Sequence, residues 1–144
     1  MKEKASKKRR AFQYATAVVI IVIMASFLIP HGPPSIHIYF LAFNVTSEDA
    51  LPYNSNYVKF ENMIIQESGY PINGVELGFR GYNCAFSITD PSDIIYRPLH
   101  CLSQSDLSGV LTYLGRITVE GTIHYVEFDS GFRPVLIVKE WKIL

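Results

Sequence analysis

The 144-residue chain balances thirteen basic against thirteen acidic side chains, but the two signs are unevenly placed. Residues 1–10 carry six basic groups and one acidic, a net of +5, whereas residues 31–144 carry seven basic and twelve acidic, a net of −5. Those last 114 residues suffice for one domain with one core. Their acidity makes nucleic acid, which is bound mainly through basic contacts to phosphate, a poor match.

In chain order, the basic cluster Lys7-Lys8-Arg9-Arg10 precedes nineteen residues, 11–29, without a charge. As a helix rising about 1.5 Å per residue, such a run covers roughly 28 Å, close to the hydrocarbon thickness of a bilayer. The pattern predicts a basic cytoplasmic tail over 1–10 and a transmembrane helix over 11–29 that contacts membrane lipid. Positive charge stays on the cytoplasmic side, so the rest of the chain is expected outside. The tail's charge also suits anionic headgroups. A cleaved signal peptide is the competing reading, but its apolar core is usually about 7–15 residues. Here Phe27, Leu28 and Ile29 also continue the apolar stretch beyond the small pair Ala25-Ser26. A buried soluble helix does not suit a run apolar on every face. Pro30, Pro33 and Pro34 end the helix and stiffen a linker over 30–34.

An extracytoplasmic β-domain is expected over 35–144. Residues 36–43, β-branched and aromatic, read as a buried strand, and the polar stretch 44–56 as loop. Residues 57–66 read as a long strand whose alternation slips near Asn62-Met63, as at a bulge. A turn is expected at 71–74. Val75, Leu77 and Phe79 then alternate with polar residues, as do Tyr82, Cys84, Phe86 and Ile88. After a turn at 90–93, residues 94–96 form a short strand. One helix is expected over 105–114, with Ser105 or Asp106 as cap, Leu107, Val110, Leu111 and Leu114 at helical spacing, and Gly115 at C′. Ile117, Val119, Ile123 and Tyr125 alternate again, interrupted by Gly121 as where a strand bends sharply. Residues 134–138 are apolar on both faces, and 139–144 are mixed.

Long bent strand, partner, third strand, short helix, glycine-bent strand and last strand is the order of a small five-stranded Greek-key barrel of the OB type. The block 115–123 followed by 134–138 resembles the fourth and fifth strands of many OB-fold proteins, and 57–62 the first. The resemblance covers about 57–144, lies at the level of the fold and implies an OB-like core; no motif selects one family. The alternative is an immunoglobulin-like sandwich, for which seven strands can be counted if 36–43 and 94–96 are included. The helix over 105–114 favours the barrel.

Few residues invite chemistry. In an oxidising compartment, Cys84 and Cys101 would close a disulfide over 17 residues; the other reading is a buried thiol on Cys84 and an unpaired Cys101. His100 beside Cys101 suggests a metal ligand, with His37 and His124 as further candidates, yet no Cys-x-x-Cys or His-x-x-His spacing supports them. Asn44-Val45-Thr46 is an N-glycosylation sequon. Tail, single membrane helix and outer OB domain together resemble the haem chaperones of cytochrome c maturation. Those proteins attach haem at a histidine or cysteine four residues before a tyrosine. Four residues after His31, His37, His100, His124, Cys84 and Cys101 stand Ser35, Leu41, Gln104, Phe128, Ile88 and Ser105, so that motif is absent. No nucleophile elbow, spaced carboxylate pair or phosphate-binding glycine loop occurs either. The expectation is a non-enzymatic, membrane-anchored binding domain without a cofactor, which engages a protein partner in or at the membrane. An extracytoplasmic carrier of a metal or small ligand is the alternative.

Overall fold

The computed structural model describes residues 2–28, 32–70, 78–82, 84–93, 95 and 97–144. The chain divides into two compact units, Met1–Gly32 and Pro33–Leu144.

The first unit is one 27-residue helix, α1 (Lys2–Leu28). It begins in the basic tail, since lysine and arginine are good helix formers and nothing in 2–10 breaks the ladder. Its stretch Lys4–Phe27, which contains an 18-residue window of mean hydropathy 1.7, is long and apolar enough to cross a membrane, a test that a signal sequence also passes. Two hydroxyls within this run return their protons to the preceding turn. Thr16 Oγ1 donates to Phe12 O at 2.9 Å, and Ser26 Oγ to Val22 O at 2.8 Å. Each donor is thereby satisfied inside its own helix, which an apolar solvent requires.

The second unit is a closed barrel of five strands: β1 (Tyr57–Tyr70), β2 (Cys84–Thr89), β3 (Leu99–Ser103), β4 (Arg116–Phe128) and β5 (Gly131–Ile143). Around the barrel the order is β1-β2-β3-β5-β4, and β4 returns to β1. Every pair is antiparallel except β3 with β5. This is the OB-like Greek-key barrel, and one closed sheet replaces the two packed sheets that a sandwich would need.

Among several register shifts, two let β1 and β4 wrap the barrel. In β1, Glu61 and Asn62 between Phe60 and Met63 oppose the single Thr118 between Val119 and Ile117, so one extra residue is accommodated. Asn62 takes it up at φ 55°, its amide donating to Thr118 Oγ1 at 3.2 Å. In β4, the register against β5 shifts between Glu120 and Gly121. There a Cβ on Gly121 would lie 2.1 Å from Ile137 O, so only glycine lets the two backbones approach this closely.

The expected strand over 36–43 is corrected. The edge of β1 ahead of Ile64 accepts only a short parallel contact, Ser35 with Lys59. The chain then turns through a 3-10 segment, Ile38–Phe40, and buries Ile36, Ile38 and Leu41 in the barrel's core. Three side chains that reach the core stabilise more than a continued edge would.

The expected helix over 105–114 is also corrected. It is reduced to one turn, in which the amides of Val110 and Leu111 both bond Leu107 O at 3.0 Å. Asp106 caps that turn, its Oδ1 accepting from the amide and hydroxyl of Ser108, and Leu114 sits at φ 61°. Leu107 and Leu111 are buried, whereas Val110 and Leu114 are exposed. A single turn already delivers the two leucines that the core uses. The expected turn at 71–74 and most of the strand over 75–79 lie outside the described residues, as do two of the three residues over 94–96.

The barrel's interior gathers Val58, Phe60 and Met63 of β1, Phe86 and Ile88 of β2, Leu99 and Cys101 of β3, Ile117, Val119 and Ile123 of β4, and Leu136 and Val138 of β5. Alternation sends Ala85, Leu102, Val135 and Ile137 to the other face, where Phe79, Tyr82 and Val126 pack over them. The run over 134–138 is thus buried on both faces, as expected from its composition.

Candidate binding surface

The outer face of β2, β3, β5 and β4 holds two of the sequence candidates. His100 pairs with Val135, and Val135 pairs on its other side with His124. The two histidines therefore stand two strands apart, roughly 9–10 Å at ordinary strand spacing. Cys101, next to His100, points the opposite way into the core and is fully buried. Cys101, facing the core, therefore does not join the two histidines around one metal ion. Among the described residues, no group of three or more His, Cys, Asp or Glu is placed to hold a metal. His124 is half-buried and lies against Phe79, ring centroids 5.6 Å apart. Ser87, opposite His100 in the ladder, places its Oγ 3.1 Å from His100 Nδ1. The cysteines are diagonal in the same ladder, Cys84 opposite Ser103 and Cys101 opposite Phe86.

His37 belongs to a separate cluster. Its Nδ1 lies 2.7 Å from Asp90 Oδ2, and the Asp90 side chain is only 1% exposed. Asp90 Oδ1 accepts from the amide and the hydroxyl of Ser92. Burial pushes this carboxyl upward, but the Ser92 bonds and His37 outweigh it and hold Asp90 below the usual carboxylate range. A depressed folded value means that the ionised form stabilises the fold. That contribution is whole at neutral pH, begins to fade near the unfolded value of about 3.9, and is lost as pH drops through the folded value. Chemical denaturation between pH 7 and pH 2 should accordingly show Asp90→Asn to be less acid-sensitive than the parent; an unchanged acid limb would contradict this role.

The same histidine stacks on Tyr39, centroids 4.9 Å apart and planes 13° from parallel, and Tyr39 packs on Phe40 at 4.5 Å. Tyr39 and Phe40 are 41% and 51% exposed. Three touching rings thus stand at the surface of a small domain.

A cleft of about 250 Å³ lies between the segment after this aromatic cluster and the starts of β3 and β5. Its walls are Phe43, Pro98 and Pro134, and its polar groups are Asn44, Arg97, His100 and Arg133. The fold assembles it by a two-residue bridge. Val45 N donates to Phe132 O at 3.2 Å and Phe132 N to Val45 O at 2.8 Å, which seats Asn44 beside the β4–β5 turn. Gly131, at φ 114°, makes that approach possible, because a Cβ there would lie 2.8 Å from Val45 O.

Both guanidiniums are held along part of their edge. Arg133 donates from Nε to Asn44 Oδ1 at 2.8 Å and from Nη2 to Ser130 Oγ at 2.9 Å, and it lies 5.3 Å from the centre of the Phe128 ring. Arg97 donates from Nε to Asp93 Oδ2 at 3.3 Å and stands 5.8 Å over the Phe43 ring. Of these residues, the sequence alone points to Asn44 as part of a glycosylation sequon and to His100 as the neighbour of Cys101. Arg97, Arg133 and Phe43 escape it because residues 43, 97 and 133 meet only through strand pairing and form no local motif.

No protein-family model matches this chain, and neither does any curated protein.

Proposed function

We propose that this chain is a non-enzymatic, single-pass membrane protein whose OB-like barrel lies outside the cytoplasm and binds a protein partner, as an accessory subunit of a membrane complex. The observation that carries the reading is α1, whose 24-residue candidate span has none of its apolar window buried against the chain itself. A helix apolar on every face needs an apolar surrounding, and a bilayer supplies one. The cluster of six basic groups ahead of it favours a cytoplasmic N-terminus. The exposed rings of Tyr39 and Phe40 supply contact area of the kind that protein interfaces favour. Solubilisation in mild detergent followed by crosslinking and affinity capture of the full chain tests the partner. A discrete complex, weakened by the double variant Tyr39→Ser/Phe40→Ser, is the expected result. A chain recovered alone and monomeric in several detergents would contradict it.

The same compartment supports a Cys84–Cys101 disulfide. Diagonal residues of a regular ladder stand about 7–8 Å apart, beyond the usual disulfide span of about 4.4–6.8 Å. Closure therefore requires Cys84, the first residue of β2, to draw towards β3. Intact mass of protein taken from the membrane should show two hydrogens lost, and reduction should lower stability by about 3 kcal/mol. Full alkylation of both thiols without reduction would contradict the bond. Asn44 as a glycosylation site belongs to the same reading, although its Oδ1 already accepts from Ser130 and Arg133.

A further inference from the structure

We infer that the cleft between Phe43, Arg97 and Arg133 binds a peptide carboxylate carried next to an apolar or aromatic group. The inference rests on the barrel being a binding module and names the chemistry of one of its sites. Within a domain of net charge −5, the cleft brings together two guanidiniums and an imidazole, with Asp93 as the charged group that offsets them. Each guanidinium carries five N–H donors. Arg97 uses Nε on Asp93, and Arg133 uses Nε and Nη2 on Asn44 and Ser130. The remaining donors have no protein partner among the described residues. The bonds that are made orient both planar groups, which lowers the entropy lost when a ligand is bound.

The walls add the second half of the specificity. Phe43, Pro98 and Pro134 present rigid apolar surface, and a bare inorganic anion would leave that surface unused. A carboxylate attached to a flat or apolar side chain uses both, since its oxygens accept charge-assisted bonds while its body lies against the ring and prolines. About 250 Å³ accommodates one such residue rather than a long segment.

The test uses the full chain in detergent micelles, followed by amide NMR. N-acetylphenylalanine should shift resonances of residues 43, 44, 97 and 133, and its uncharged amide should bind at least ~10-fold more weakly. Blocked Phe-Asp amide, with only a side-chain carboxylate, separates recognition of an acidic residue from recognition of a chain terminus; saturable binding of either at the cleft supports the inference. Arg97→Gln and Arg133→Gln should each weaken binding by about 10-fold, with Arg97→Lys intermediate and the core resonances of β1 and β4 unmoved. Equal binding of acid and amide, inorganic phosphate binding the same residues as tightly, or no shift at millimolar acid would overturn it. In that event a partner captured from the membrane would still support the proposed function, so the two readings fail separately.

Discussion

Gly121→Val is expected to prevent the barrel from closing. At this position β4 and β5 change register, and their backbones approach so closely that a Cβ would lie 2.1 Å from Ile137 O, 2.8 Å from Ile137 C and 3.0 Å from Val138 Cα. Those are backbone atoms of a paired strand, not the ends of flexible side chains. Relief would have to come from separating β4 from β5, the pair that carries twelve register partners and joins both halves of the barrel. Overpacking of a tight core typically costs about 1–3 kcal/mol, and a clash with backbone should exceed that range. Against a total stability of about 5–15 kcal/mol, such a loss leaves the variant largely unfolded or aggregated. Gly121→Ala already carries the offending carbon and should fail in the same direction. Far-UV circular dichroism and urea unfolding of the purified protein would show this, and a Gly121→Val protein melting within about 2 °C of the parent would contradict it.

Phe60→Ala should cost about 3–5 kcal/mol. Phe60 is fully buried in the barrel, opposite Val119 and next to the bulge that turns β1. Truncation leaves a cavity that the barrel wall cannot easily collapse to fill, because this part of β1 is held in register with β4 from Tyr57 to Phe60 and again at Met63 and Ile64. The informative control is Phe40→Ala, which removes the same side chain from a site that is 51% exposed. That change should stay within about 0.5 kcal/mol, as surface substitutions do. Equal losses at the two positions in urea unfolding would mean that residues 38–40 are packed differently from the arrangement described.

The features legible in the sequence were those set by backbone periodicity. Alternation in 57–66 and 116–125 and the apolar run over 134–138 anticipate β1, β4 and β5 because a strand's two faces meet different surroundings. The slip at Asn62 and the break at Gly121 were visible for the same reason, since one extra or one missing apolar residue shifts the face. Residues 36–43 and 105–114 misled because local composition suits a strand and a helix there. Tertiary burial of Ile36, Ile38, Leu41, Leu107 and Leu111 decided otherwise. The cleft was out of reach, because Phe43, Arg97 and Arg133 are brought together only by the Val45–Phe132 bridge and the parallel pairing of β3 with β5. His100 and Cys101 drew attention as neighbours in sequence, and the alternation of β3 sends them to opposite faces.

We propose that α1 holds the barrel outside the cytoplasm, and amine labelling tests this placement most directly. Lys139 and Lys142 are exposed on β5, whereas Lys4, Lys7 and Lys8 are exposed on the basic end of α1. A membrane-impermeant amine reagent applied to intact cells or spheroplasts, followed by peptide mapping, should modify Lys139 and Lys142 while sparing the three tail lysines until the membrane is opened. Tail lysines modified first, or a protein that leaves the membrane fraction in alkaline carbonate, would contradict the account.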